Sequence, residues 1–232
     1  MKAAEAESVR IEIGPNEAVS GLVMRPPQAR ACYVFAHGAG AGMTHASLET
    51  VAADLGARSI ATLRYQFPYM EKGSKRPDAP AVAHAAVRAA VAEAARRCPA
   101  LPLIAGGRSF GGRMTSQAQA LSPLPGVRGL AFLGFPLHPA GKPSSDRARH
   151  LTDVKIPMLF LQGTRDEFAD FSLLQPLIGK LGATASLVPF QDANHSFHVP
   201  ARTGRTDAQI MSVLLDTLVD WIDTGLASRN SG

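Results

Sequence analysis

Residues 106–114 read GGRSFGGRM and follow directly on the apolar run Leu101, Pro102, Leu103, Ile104, Ala105. An apolar run that ends in glycines and passes into a helix-forming segment, here Arg113 to Leu121, reads as strand, tight turn, helix. Inside it, Gly107-Arg108-Ser109-Phe110-Gly111 matches G-x-S-x-G. In that pattern the serine occupies a strained turn, and the small residues at both ends keep clear of the neighbouring strand and helix. Ser109 is therefore a candidate nucleophile. The bland alternative is a glycine turn with an incidental serine, and the decision between them rests on partners elsewhere in the chain.

Outward from this turn, short apolar runs recur at Val9 to Ile13, Leu22 to Met24, Cys32 to Ala36, Ile60 to Leu63, Leu101 to Ala105, Leu130 to Leu133, Pro157 to Leu161 and Ser186 to Phe190. Such runs suit strands buried on both faces. Helical patterns separate most of them, among them the alanine-rich Val82 to Arg97. The clearest helix is the last: Thr206 and Gln209 form a capping-box pattern, and Ile210, Val213, Leu214, Leu218, Trp221 and Ile222 repeat at helical spacing as a core stripe. Strands alternating with helices predict an α/β fold with a mostly parallel central sheet covered on both faces. Antiparallel strands are expected at the N-terminus, where no helix separates the first runs. No internal repeat or linker divides the chain, so residues 1–232 are expected to form one domain. The Gly/Pro/Lys-rich patch from Phe135 to Ser145 reads as a loop. It leaves little room for a lid before the strand at Pro157.

Composition narrows the classes. Hydrophobic residues make up 46% of the chain and charged residues 19%, enough apolar material for a packed core. The opening MKAAEAESVR has no apolar signal-peptide core, and no stretch reaches the length of about eighteen apolar residues that a membrane span needs. A cytoplasmic protein without membrane association is the expectation. Cys32 and Cys98 are the only cysteines, too few for a disulfide framework or a metal cluster, and they read as buried thiols. The net charge is +5, but the arginines are scattered and no dense basic run with interleaved aromatics appears. Nucleic acid is therefore not the expected partner; a small, anionic substrate fits as well. Oligomeric state is not legible.

A serine hydroxyl needs a histidine to take its proton, and that histidine needs a carboxylate to fix its tautomer. On a strand-to-helix elbow of this kind the acid follows the serine and the histidine comes last. After Pro157 to Leu161 comes GTRDEF, which puts Asp166 in a loop at a strand's carboxyl end; after the strand ending at Phe190 comes QDANHSF, which does the same for His195. Asp170 reads instead as the cap of the following helix, Asp192 is a spare acid, and His198 is a rival base. Each residue alone has a plain reading as a turn or solvated loop residue, but three in the right order at the ends of three strands point to a triad. An oxyanion needs donors as well. The N–H of Phe110 supplies one, and the glycine loop HGAGAGMTH, from His37 to His45, supplies the other through Ala39, with Gly40 as fallback.

The same loop raises a rival from another class. Gly38, Gly40 and Gly42 give G-x-G-x-G rather than the G-x-G-x-x-G of dinucleotide folds, although Arg64 at the next strand end could meet a 2′-phosphate. An NADP-binding reductase would leave Ser109, Asp166 and His195 without a role. No cofactor and no metal are expected.

From His37 onward, HGAGAGMTH, RYQFPYMEKGSKRPD, GGRSFGGRM, GFPLHPAGKP, LFLQGTRDEF and NHSFHV together resemble the α/β-hydrolase family. In size the chain is dienelactone-hydrolase-like. More narrowly it resembles the bacterial branch of proteins similar to a regulatory subunit of the NSL histone acetyltransferase complex and its testis-expressed relatives. The resemblance implies an α/β-hydrolase fold with Ser109, Asp166 and His195 in the triad positions; Phe110 departs from the methionine usual there. Because those relatives include complex subunits, a non-catalytic binding or scaffold protein that keeps the fold is the alternative to a serine hydrolase. The leading expectation is a lidless serine esterase acting on a small carboxylic ester, thioester or lactone. His37, Gly38, Gly40, Arg64, Phe67, Tyr69, Phe135, Pro136 and His138 follow strand ends and are the expected pocket walls. Lys72, Lys75, Arg76, Lys142, Arg147 and Arg149 are expected to form a basic rim.

Overall fold

The structure, a computed structural model, describes residues 5–227. Its first two strands, β1 (Glu7–Gly14) and β2 (Glu17–Met24), form an antiparallel hairpin. Their alternate residues Val9, Ile11, Val19 and Val23 are buried while the residues between them face outward, the pattern of strands with one covered face. The remaining strands are β3 (Ala31–Ala36), β4 (Ile60–Tyr65), β5 (Leu103–Arg108), β6 (Val127–Leu133), β7 (Met158–Gly163) and β8 (Ala185–Phe190). They assemble in the order β1-β2-β4-β3-β5-β6-β7-β8, with β2 antiparallel to β4 and every later pair parallel. The eight apolar runs thus correspond to eight strands in a mostly parallel sheet, with the antiparallel pairs at its N-terminal edge.

Helices cover both faces, which is why the central strands are mostly apolar and almost wholly buried. One face packs α3 (Pro80–Arg97), α4 (Phe110–Leu121) and α5 (Phe171–Leu181) on inward residues such as Cys32, Val34, Phe132 and Phe160. The other packs α1 (Ala46–Ala57) and α6 (Asp207–Ala227) on Tyr33, Phe35, Leu133 and Leu161. Successive residues of one strand therefore serve opposite cores. In α3 the buried positions include Ala83, Ala86, Ala90 and Ala94, whose small side chains let the helix lie close on the sheet. A short helix, α2 (Pro68–Glu71), follows β4. The β6–β7 connection carries only a 3₁₀ turn, Asp146–Asp153, and no lid domain.

The capping box forms as expected: the Thr206 N–H donates to Gln209 Oε1 at 2.9 Å and the Gln209 N–H to Thr206 Oγ1 at 3.2 Å. The stripe behind it needs one correction. Val213 is 53% exposed while Ile210, Leu214, Leu218 and Ile222 are buried, because the apolar face of α6 is narrower than the apolar pattern. No helix among the described residues is long and apolar enough to cross a membrane.

Candidate active site

Ser109 sits between β5 and α4 with φ +50° and ψ −117°, a backbone conformation that disfavours any side chain bearing a Cβ. Close packing around the turn explains its neighbours. A Cβ on Gly107 would lie 2.3 Å from the Ala36 carbonyl oxygen, and one on Gly111 would lie 2.5 Å from that of His37. Only glycine lets β5 and α4 approach β3 this closely. The result is a serine at the N-terminus of α4. The Phe110 N–H belongs to the first turn, whose N–H groups have no partner within the helix.

Beyond the end of β7, Asp166 lies in a tight turn and is 5% exposed. Its Oδ2 accepts hydrogen bonds from His195 Nδ1 at 2.7 Å and from Gln162 Nε2 at 2.5 Å, and its Oδ1 accepts the Phe168 N–H at 2.8 Å. Gln162 is itself oriented, since its Oε1 accepts the Phe135 N–H at 2.8 Å. The buried amide thus bridges backbone and carboxylate, and its two ends cannot be exchanged without setting acceptor against acceptor. With Nδ1 donating to Asp166, a neutral His195 keeps Nε2 as a proton acceptor. The Asn194 side chain shapes the turn that carries His195, accepting the N–H groups of Ser196 at 2.8 Å and His198 at 3.1 Å. Asp170 caps α5 through the Ser172 N–H. His198 is turned to Asp207, at 2.8 Å, and faces away from the serine's pocket.

Ser109 and His195 line one pocket of about 460 Å³, together with Ala39 and Phe110. Its walls mix apolar surface from Met114, Pro136 and Phe168 with the charged side chains of Asp78, Arg113 and Arg147. Pro77 and Pro80 complete the side nearest α3.

Of the expected walls only Pro136 lines this pocket, and the others lie elsewhere. His37 is fully buried; its Nε2 accepts the Phe67 N–H at 3.0 Å and its Nδ1 meets the Gly38 carbonyl at 2.8 Å. Both partners are backbone, so the ring is neutral with its proton on Nδ1, and burial pushes its pKa down to about 4. It ties the glycine loop to the segment after β4. Arg64, 3% exposed, donates to the Met43 carbonyl at 2.9 Å. That also removes it as a surface contact for a 2′-phosphate. Phe67 and Tyr69 are buried behind Phe110, at ring separations of 5.2 and 6.2 Å. Phe135 packs between Phe132 and Phe160. His138 is buried, with its Nε2 accepting the Asp170 N–H at 2.9 Å. Gly38 is buried beside Ser109, and the exposed Gly40, at φ +78°, turns the loop. Of the two loop residues expected to donate to an oxyanion, Ala39 lines the pocket with Ser109 and Gly40 does not. The basic rim is also redistributed. Lys72 pairs with Glu17 and Arg149 with Asp146, and of the six residues only Arg147 lines the pocket.

Sequence reasoning missed Gln162, Asp78, Arg113 and Phe168. Gln162 carried a signal, as the one polar side chain within the buried strand MLFLQG. Among the described residues no group of three His, Cys, Asp or Glu side chains is placed to hold a metal.

The model of the alpha/beta hydrolase domain family matches residues 29–223. Among solved structures, an alpha-beta serine hydrolase homologue from Coxiella burnetii is 19% identical, with a TM-score of 0.73 over 94% of this chain and 100% of that one. An α/β serine hydrolase without lid from Xanthomonas campestris is 21% identical, with a TM-score of 0.71 over 94% and 95% of the two chains. A dienelactone hydrolase from Anabaena variabilis is 18% identical, with a TM-score of 0.76 over 96% and 99%.

Proposed function

The chain belongs to the alpha/beta hydrolase domain family, and on that premise we propose that it is a serine hydrolase that cleaves a small carboxylic ester, thioester or lactone. The observation that carries this reading is the 2.7 Å bond from His195 Nδ1 to the buried Asp166 carboxylate, beside a serine held at φ +50° on the same pocket. Ser109 Oγ attacks the substrate carbonyl while His195 Nε2 takes its proton, and Asp166 stabilises the imidazolium that forms. The N–H groups of Phe110 and Ala39 hold the negative oxygen, aided by the positive end of the α4 dipole. His195 then returns the proton to the leaving group, and water repeats the sequence on the acyl-enzyme. A pocket of about 460 Å³ suits a small ligand.

Intact mass after exposure to a fluorophosphonate tests the assignment. The expected result is one adduct on the wild type and none on Ser109→Ala. A folded wild type without adduct would overturn it in favour of the non-catalytic binding reading.

A further inference from the structure

The pocket carries charge that the acyl-transfer steps do not use. Arg113 lies on α4 four residues after Ser109, one helical turn along and on the same face, so its side chain rises beside the serine. Arg147 reaches the same pocket from the 3₁₀ turn Asp146–Asp153. Both line the same pocket, and the pKa of Arg113 is depressed, chiefly by burial and further by the nearby charge of Arg147. Among the described residues no carboxylate lies within ion-pairing distance of either. The Arg113 Nε is buried and has no hydrogen-bond partner. Asp78, the one carboxylate on the pocket wall, is committed through Oδ2 to the Tyr69 N–H at 2.9 Å.

Two like charges are not brought together in a half-buried wall without cost, and the fold holds them there. His150 Nε2 lies in hydrogen-bond contact with Ser116 Oγ of α4 at 2.7 Å, while Ala148 and Leu151 are buried beneath. The turn bearing Arg147 is thereby pinned to the helix bearing Arg113.

We propose that Arg113 and Arg147 form a subsite for a carboxylate carried by the substrate, so that the ester cleaved at Ser109 is the half-ester of a short dicarboxylic acid. The inference deepens the hydrolase reading and rests on it. A planar carboxylate matches the guanidinium fork and relieves the repulsion between the two cations. With the far carboxylate anchored there, the ester carbonyl is oriented toward Ser109.

The test compares kcat/KM for the p-nitrophenyl half-ester of adipic acid with that for p-nitrophenyl hexanoate, which has the same chain length without the charge. Wild type is expected to prefer the half-ester by about tenfold or more, and Arg113→Gln and Arg147→Gln each to cut that ratio by about tenfold, mainly through KM. Arg147→Gln carries the test should the Arg113 variant fail to fold. A wild-type ratio of one or less, or a ratio unchanged in the variants, overturns the subsite. Fluorophosphonate labelling of Ser109 reports separately on the hydrolase reading. Should neither ester be turned over, titration calorimetry with monomethyl adipate replaces the ratio. Binding to wild type that Arg147→Gln loses supports the subsite, and absence of binding overturns it.

Discussion

The backbone N–H of Phe67 donates to His37 Nε2 at 3.0 Å, inside a core that leaves His37 no exposed surface. Burial pushes its pKa down to about 4, and His150 is pushed down to about 4 by burial with help from Arg113. In the unfolded chain both ionise near pH 6.5. Between these values the unfolded chain binds more protons than the native state. Stability therefore falls as pH drops through this window, by up to about 1.4 kcal/mol per pH unit for each histidine, and is flat above it on their account. Urea midpoints measured from about pH 7 to about pH 4.5 should decline, and His150→Gln should decline less steeply. Equal slopes in both proteins would show that His150 does not stay neutral in the fold.

Ser109 occupies its turn against the preference of its own Cβ. Ser109→Gly removes that strain and is expected to raise stability by about 1 kcal/mol, while labelling by a fluorophosphonate disappears. A more stable but unreactive variant is what a function-bearing strained residue predicts. A less stable one would place the strain elsewhere.

Asp166, the acid of the proposed triad, and Gln162, which holds it, are expected to respond differently to substitution. Asp166→Asn presents an amide N–H to His195 Nδ1, which reverses the tautomer and moves the proton to Nε2; ester turnover should fall by about 10⁴-fold with the fold intact. Gln162→Leu instead strands the Phe135 N–H in a buried site, at about 1 to 3 kcal/mol of stability. Because the Asp166–His195 bond survives, its effect on turnover should be far smaller. Thermal melts and kcat/KM on both variants check the contrast; an inactive but fully stable Gln162→Leu would contradict it.

The strands and the order of the candidate residues were legible because both depend on local pattern: apolar runs of strand length, a glycine-flanked serine, an acid and a histidine each just past its own strand. Strand order was not, since placing β4 between β2 and β3 depends on how layers pack rather than on any local signal. The pocket walls failed for a related reason. Strand-end position says that Phe67, Phe135 and His138 lie at the correct end of the sheet, but not how deep. The aromatic rings won burial against one another, at 5.3 Å for Phe132 and Phe135, and His138 was drawn inward by a backbone donor. Arg113 was passed over because, on α4, it reads as an ordinary exposed helix charge.

Phe110 combines two roles that one substitution can part. Its N–H is the proposed oxyanion donor, whereas its ring lines the pocket and packs edge-on against Phe67 at 5.2 Å and Tyr69 at 6.2 Å. Phe110→Met keeps the backbone donor and gives up the ring contacts, so stability should drop by about 1 to 2 kcal/mol while the serine still reacts with a fluorophosphonate. Methionine is slimmer and more flexible than the ring, which opens the wall beside Ser109. The variant should therefore shift its preference among p-nitrophenyl esters toward longer acyl chains, measured as the ratio of kcat/KM for octanoate to that for butyrate. Loss of labelling in a folded Phe110→Met protein would mean that the ring, rather than the N–H, is what the reacting serine depends on.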